Sequence, residues 1–330
     1  MKTIVSGIQP SGVITLGNYI GAIKNFVKLQ SEMPDYEFFI FIADLHAVTT
    51  PQEKADLRKN IRSLAALYVA CGLDPDKVNL FIQSEVLEHA ALGYIMETTA
   101  YVGELERMTQ YKDKMQRQLI GVTCALFTYP ALMAADILLY DASFVPVGED
   151  QRQHLELTRD LAIRFNNRYG ETFVVPEPLL VKQGAKIMSL ADPTKKMSKS
   201  DELEKSYISL LDDSAVIRKK IMTSVTDSES RIRFDETNKP GISNLMTILA
   251  SLTNQSIAQI EDAYINKGYG DFKNDVSETV IKELVMIQSR YRDLIHSEEL
   301  NRYLDQGKNR AKEIASRKLS KVFQRMGLSR

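Results

Sequence analysis

The first two hundred residues alternate short apolar, β-branched runs with stretches of helical period. Lys2 to Val5 reads as a strand, Phe38 to Ala43 as a fully buried one, and Val78 to Gln83 as a third. The best-marked helix lies between the last two. Thr50 is its expected N-cap, Pro51 its first helical residue and Glu53 the far half of a capping box. Leu57, Ile61, Leu64, Ala65 and Tyr68 form its apolar face, and Gly72 ends it. Strand, helix and strand in this order predict a doubly wound α/β domain with a parallel sheet and right-handed crossovers.

After about Ser206 the pattern changes: helices dominate and no convincing strand follows. Ser256 to Gln259 opens a helix with a capping box, and Val276 to Ile295 is a long amphipathic stretch. Lys308 to Arg330 carries eight Lys or Arg against one Glu, with Ala311, Ile314, Ala315, Leu319, Val322, Phe323 and Met326 at helical spacing. The expected division is a catalytic domain over 1–204 and an all-helical domain over 205–330, with the terminal helix packed back onto the first.

Composition narrows the function classes. A hydrophobic share of 44% and a charged share of 26% are those of a globular chain, and 330 residues suit two domains. The net charge of -1 predicts no whole-surface attraction to nucleic acid, so any RNA contact must be a local basic patch. Cys71 and Cys124 lie far apart in apolar stretches and read as buried, reduced thiols; no CxxC suggests zinc or an iron–sulfur cluster. The N-terminus lacks a secretory h-region and the longest apolar run is too short to span a bilayer, so the expected location is the cytoplasm, with no membrane partner.

Two segments carry chemistry. The first, Ser6-Gly-Ile-Gln-Pro-Ser-Gly-Val-Ile-Thr-Leu-Gly-Asn18, leaves the first strand and opens a helix. A strand-to-helix turn there is where an open parallel sheet binds nucleotide, and Thr15, Gly17 and Asn18 fall near a helix N-terminus that favours phosphate. Neither a P-loop nor GxGxxG is present, and the glycines alone fit an ordinary βα turn equally well. The second is Asp192-Pro-Thr-Lys-Lys-Met-Ser-Lys-Ser-Asp201. Its lysines are either a solvated surface run or a clamp on a triphosphate as pyrophosphate leaves.

Together these segments resemble the HIGH and KMSKS signatures of the class I aminoacyl-tRNA synthetases, with Thr15-Leu-Gly-Asn18 as the variant HIGH and Lys196-Met-Ser-Lys-Ser200 as KMSKS. The surrounding text is similar to the bacterial tryptophanyl branch: Gly7-Ile-Gln-Pro-Ser-Gly12, Gly103-Glu-Leu-Glu-Arg-Met-Thr-Gln110, Leu132-Met-Ala-Ala-Asp136, Gly148-Glu-Asp-Gln151 and Lys239-Pro-Gly-Ile-Ser-Asn-Leu245. The resemblance implies ATP-dependent activation of L-tryptophan and its transfer to tRNA by a homodimer, with magnesium on the triphosphate and the helical domain reading the anticodon. It implies catalytic roles for Lys196, Ser198, Lys199, Lys114 and Gln9. It implies ATP contacts from Gln9, Pro10, Ser11, Thr15, Gly17, Asn18, Gly148, Glu149, Asp150, Ile187, Lys196, Met197, Ser198, Lys199 and Ser200. The tryptophan contacts it implies are Val5, Gly7, His46, Tyr129, Met133, Asp136, Val145, Val147 and Gln151, with no metal ligands.

The residues can be read beside that resemblance. Tyr129, Met133 and Asp136 stand at i, i+4 and i+7 of a helix expected to begin at Tyr129-Pro130, so they share a face. A lone carboxylate on an apolar helix is either bonded to structural N–H groups or, as the resemblance has it, the acceptor for the indole N–H. Val145 and Val147 alternate onto one side of a strand. Lys112 and Lys114 are expected in a loop before the Asp136 helix, and His89 and His296 as surface or capping residues. Two positions depart from the family: Val5, commonly Phe, and Leu45, often Gln. A tyrosyl enzyme, a nucleotidyltransferase of cofactor synthesis and a non-catalytic RNA-binding relative are the rivals. The first needs a partner for a phenol, the second no helical tail, and the third no intact KMSKS loop.

Overall fold

A computed structural model describes residues 2–10, 12–117, 121–148, 151–179, 185–199, 201 and 203–330, without the side chains of 113, 114, 116 and 117. Its centre is a five-stranded, all-parallel sheet: β1 (Lys2–Ile8), β2 (Tyr36–Ile42), β3 (Val78–Ile82), β4 (Phe144–Pro146) and β5 (Glu177–Leu179), in the order β3-β2-β1-β4-β5. The chain steps outward from β1 to β3, then returns to the other side of β1 as β4 and β5. The order reverses between β1 and β4, and this is the switch point where such sheets bind ligands.

Both faces of the sheet are covered, which explains why its strands read as near-continuous apolar runs. Ile4, Phe38, Ile40, Ile42, Val78 and Leu80 face one cluster, shared with Leu16, Ile20, Leu64, Leu67 and much of the C-terminal helical region. Val5, Phe39, Phe41, Phe81 and Val145 face the other, packed by the helices Glu88–Thr99, Cys124–Leu138 and Arg152–Tyr169. Among the described residues no named strand follows β5, and the last third of the chain is helical. The Ser256 capping box forms with Gln259, and the amphipathic stretch is the helix Tyr269–Leu294.

The final helix, Glu298–Met326, lies along β3, the edge strand that would otherwise present unpaired backbone. Gly307 is the point of closest approach: a Cβ there would stand 2.1 Å from the Leu80 carbonyl oxygen. Arg310 pairs with Glu37 at 2.8 Å, and the buried Lys318 ammonium donates to the Thr172 carbonyl at 2.8 Å.

Four local expectations are corrected. A short helical turn, Asp44–Ala47, follows β2, and the helix with the Leu57–Tyr68 face is Lys54–Ala70 with Glu53 at its N-cap, because the Thr50 hydroxyl turns back to the Ala47 carbonyl and residue 53 is still extended. The helix bearing Asp136 starts at Cys124, capped by the Thr123 hydroxyl accepting from the Leu126 N–H, so Pro130 is interior rather than initial. Cys124, in the first turn of that helix, is exposed; only Cys71 is buried, and burial pushes its thiol up to about 12. Residues 112 and 114 fall in the helix Thr109–Arg117 rather than in a loop. No helix among the described residues is long and apolar enough to cross a membrane.

Candidate active site

A cavity of about 370 Å³ opens at the switch point, between the carboxyl ends of β1 and β4 and beneath the helix Cys124–Leu138. Its wall includes all nine of Val5, Gly7, His46, Tyr129, Met133, Asp136, Val145, Val147 and Gln151, and also Gln9. Parallel pairing brings Gly7 beside Phe41, and the missing side chain matters there: a Cβ on Gly7 would meet the Phe41 ring at 2.5 Å. Phe41 thereby supplies an aromatic wall next to Val5. Tyr129 bonds His154 Nε2 at 2.8 Å, and burial drives its phenol far above the ordinary range.

Asp136 is almost wholly buried, and three side chains approach its carboxylate. Gln83 Nε2 donates to Oδ1 at 2.7 Å, His89 Nδ1 lies 2.6 Å from the same oxygen, and His46 Nε2 lies 2.6 Å from Oδ2. Burial alone would raise this carboxyl. The charge and hydrogen bond of His46, then those of His89, outweigh it and hold the group down at about 2. His89 is therefore no surface residue: it is fully enclosed, which corrects the expectation from sequence.

The residues expected at the nucleotide side follow β1 and meet the Lys196–Ser200 segment. Thr15 caps the helical turn Leu16–Asn18 in a reciprocal box, its N–H donating to Asn18 Oδ1 at 3.0 Å while its hydroxyl accepts from the Asn18 N–H at 3.2 Å. These two side chains thus hold each other, and Gly17 is the bare backbone between them. Ile187 and Met197 pack on that glycine: a Cβ there would lie 3.4 Å from Met197 Cβ and 3.7 Å from Ile187 Cβ. Met197 is buried, its N–H donating to the Ile187 carbonyl at 3.0 Å, whereas Lys196, Ser198 and Lys199 are exposed around it. Gly12, at φ +93°, admits the Lys199 ammonium to within 2.2 Å of where a Cβ would stand. So the two signature segments meet twice, at Gly17 and at Gly12.

Pro10 is buried beyond the end of β1, and Gly148 accepts from the Gln151 N–H in the turn before the helix Arg152–Tyr169. Ser11, Glu149, Asp150 and Ser200 lie outside the described residues, as does the Lys114 side chain. Among the described residues no three His, Cys, Asp or Glu side chains gather to hold a metal ion. Sequence reasoning missed Phe41, Gln83, His89 and Gln110. Strand register would have found Phe41, and Gln110 ends the Gly103 segment, but nothing local marks Gln83 or His89.

Comparison with known proteins decides among the rivals. Residues 1–285 match the family model described as class I tRNA synthetases (W and Y). The chain is 58% identical over 330 residues to a tryptophan–tRNA ligase of Oceanobacillus iheyensis, covering all of both chains. It is 57% identical to that of Bacillus subtilis, covering 100% of this chain and 98% of the relative. The chain belongs to the tryptophanyl-tRNA synthetases.

Solved structures agree on this synthetase's fold. A tryptophanyl-tRNA synthetase from Mycoplasma pneumoniae superposes with a TM-score of 0.89 at 40% identity, over 100% of this chain and 98% of that one. One from Campylobacter jejuni, in complex with ADP and tryptophan, gives 0.86 at 35% identity, over 99% and 100%. Tyrosyl-tRNA synthetases also superpose, with a TM-score of 0.67 at 20% identity for the one from Aeropyrum pernix, and share the fold. The enzyme is a ligase that joins tryptophan to its tRNA.

Proposed function

We propose that the cavity at the switch point is the tryptophan-activating centre and that the Gly12–Lys199 edge receives ATP. One observation carries this: nine residues from separate stretches of the chain line one cavity, around a buried carboxylate with an acceptor site to spare. Val5, Gly7, Phe41, Met133, Val145 and Val147 give the indole its apolar walls. Asp136, beside His46, accepts the indole N–H. Tyr129, Gln151 and Gln9 present polar atoms to the amino-acid head.

The reaction needs no protein nucleophile. An oxygen of the tryptophan carboxylate attacks the α-phosphorus of ATP in line, the bond to the bridging oxygen breaks, and pyrophosphate leaves with that electron pair. A hydroxyl of the tRNA's terminal ribose then attacks the acyl carbon of tryptophanyl-adenylate and releases AMP. Catalysis is positioning together with stabilisation of charge that grows on the leaving pyrophosphate. Lys196, Ser198 and Lys199 supply that charge and hydrogen bonding, and the resemblance assigns Lys114 and Ser200 to the same task. Pro10, Ser11, Thr15, Gly17, Asn18, Gly148, Glu149, Asp150, Ile187 and Met197 shape the seat for the nucleotide. Magnesium belongs to the substrate, carried on triphosphate oxygens as hard cations with few protein ligands are.

The helical part, residues 205–330, takes the anticodon arm in this reading, and the enzyme works as a cytoplasmic homodimer. Resemblance to the family supports both points, and exposed apolar residues such as Leu87 and Tyr94 offer surface for a subunit contact. The test is amino-acid-dependent ATP–pyrophosphate exchange across all twenty amino acids, on wild type and on cavity variants. Tryptophan should drive exchange alone, and cavity substitutions should raise its KM before that of ATP. Cavity variants with an unchanged tryptophan KM would sink the assignment.

A further inference from the structure

A buried carboxylate offers about four acceptor positions over its two oxygens. Three are taken at Asp136: Gln83 and His89 both approach Oδ1, and His46 approaches Oδ2. The distribution is lopsided, and the fourth position lies on Oδ2, the oxygen that His46 shares from the cavity wall. His89 and Gln83 do not line the cavity. They reach the ligand only through Asp136.

Each of those two is itself held from behind. Gln83 is oriented by the Leu45 N–H, which donates to its Oε1 at 3.1 Å and so turns its amide nitrogen toward Asp136. His89 is boxed by Phe41, Phe81 and Tyr140, with ring centroids 5.6, 5.9 and 5.5 Å away. Its Nε2 lies 2.7 Å from the Tyr140 hydroxyl, and the Tyr140 ring stacks on Phe39 at 4.5 Å. The Tyr140 contact at Nε2 fixes the ring so that the Nδ1 N–H faces the Asp136 carboxylate and donates to it.

We infer that His89, set by Tyr140, is a positioning residue for amino-acid selection: with Gln83 it occupies Oδ1 of Asp136 and so turns the one vacant acceptor site, on Oδ2, toward the indole N–H. The inference rests on the reading of Asp136 as the indole acceptor. Without the Oδ1 donors the carboxylate would rotate to satisfy both oxygens inside the protein, and the cavity would lose its fixed acceptor. A histidine that only braced the fold would affect stability and leave selectivity alone.

Exchange kinetics with tryptophan, and with its isostere in which sulfur replaces the indole N–H, separate these roles. Wild type should reject the isostere by at least about a hundredfold, since a buried acceptor is left unpaired. His89→Leu should raise the tryptophan KM roughly ten- to a hundredfold and narrow that gap by a similar factor, with kcat and the ATP KM little moved. His89→Asn, whose amide nitrogen takes the place of Nδ1, should recover most of the loss, and Tyr140→Phe should fall between. A folded His89→Leu enzyme with the wild-type gap overturns the positioning role. A wild type with no gap overturns the Asp136 reading instead, which keeps the two failures apart. If His89→Leu does not fold, Tyr140→Phe decides: a wild-type tryptophan KM and gap in that variant overturn the proposal.

Discussion

The two ends of the active site solve their problems differently. At the amino-acid end the central polar groups, His46, Tyr129 and Asp136, are buried, and Asp136 is gripped by residues from three other parts of the chain. At the nucleotide end the charged groups are exposed, and one buried side chain, Met197 on Gly17, anchors their loop. Telling one ring from another takes a desolvated acceptor at a fixed place, because an unpaired partner is costly only where water is absent. Countering charge on a departing pyrophosphate takes cations delivered to the right edge, and water does not forbid it. In the proposed reading one end selects and the other accelerates.

If that division is right, substitutions at the two ends fail in different currencies. The largest effect belongs to Asp136→Ala. It should lower kcat/KM for tryptophan by roughly 10⁴ and narrow the preference over phenylalanine, with the ATP KM nearly unchanged. It should also cost about 1–3 kcal/mol of stability, because His46, His89 and Gln83 are left with buried donors unanswered. Exchange measured with tryptophan, tyrosine and phenylalanine checks this. A variant that keeps its tryptophan preference, or a wild type that prefers tyrosine, breaks the selective half of the comparison.

Removing both loop lysines, Lys196 and Lys199, tests the other half. Adenylate formation should slow by roughly 10²–10³ per group, while tryptophan affinity holds, because the lost interactions matter most as pyrophosphate leaves. Pre-steady-state adenylation read beside equilibrium tryptophan binding separates the two. A wild-type adenylation rate in the double alanine variant removes the lysines from this role.

The same difference explains what could be read from sequence. Chemistry carried by contiguous residues, as in Lys196-Met-Ser-Lys-Ser200, is legible because chain connectivity already places the groups together. The parallel sheet was legible too, since strands covered on both faces must be apolar throughout. His89 was not. Its neighbours on the helix Glu88–Thr99 include exposed residues, and its burial follows from how that helix lies against β2, β3 and Tyr140. Thr50 misled for a related reason: a capping-box pattern is a local offer, and the Ala47 carbonyl outbid the helix for the hydroxyl. Asp136 was visible as an oddity, but its partners were not, because they lie 47, 53 and 90 residues away.

Acid gives a smaller, sharper probe of the selective end. The Asp136 carboxyl is held down at about 2, below its ordinary 3.8. A depressed carboxyl stabilises the fold above its unfolded value and loses that contribution as pH falls through the folded one. Between about pH 5 and pH 2, wild type should therefore lose about 2 kcal/mol more than Asp136→Asn, which has nothing to titrate there. Denaturant unfolding of both proteins across that range measures it. Parallel losses would mean the carboxylate is less tightly gripped than its three short hydrogen bonds imply.

The smallest effect tests the contact between the ends' shared backbone and the loop. Gly12 adopts φ +93°, and a Cβ there would stand 2.2 Å from the Lys199 ammonium. Gly12→Ala meets two costs: a left-handed backbone that alanine disfavours by roughly 1–2 kcal/mol, and displacement of the lysine. The ammonium is the far end of a flexible chain and moves readily, so adenylate formation should slow only about tenfold, with tryptophan KM unchanged. A double-mutant cycle apportions that loss. If Gly12 serves as the seat for Lys199, Gly12→Ala should cost little further in a Lys199→Ala background, because the group being displaced is gone. Full additivity would show that the glycine acts on the backbone of the ATP loop alone, and that the two signature segments meet there without cooperating.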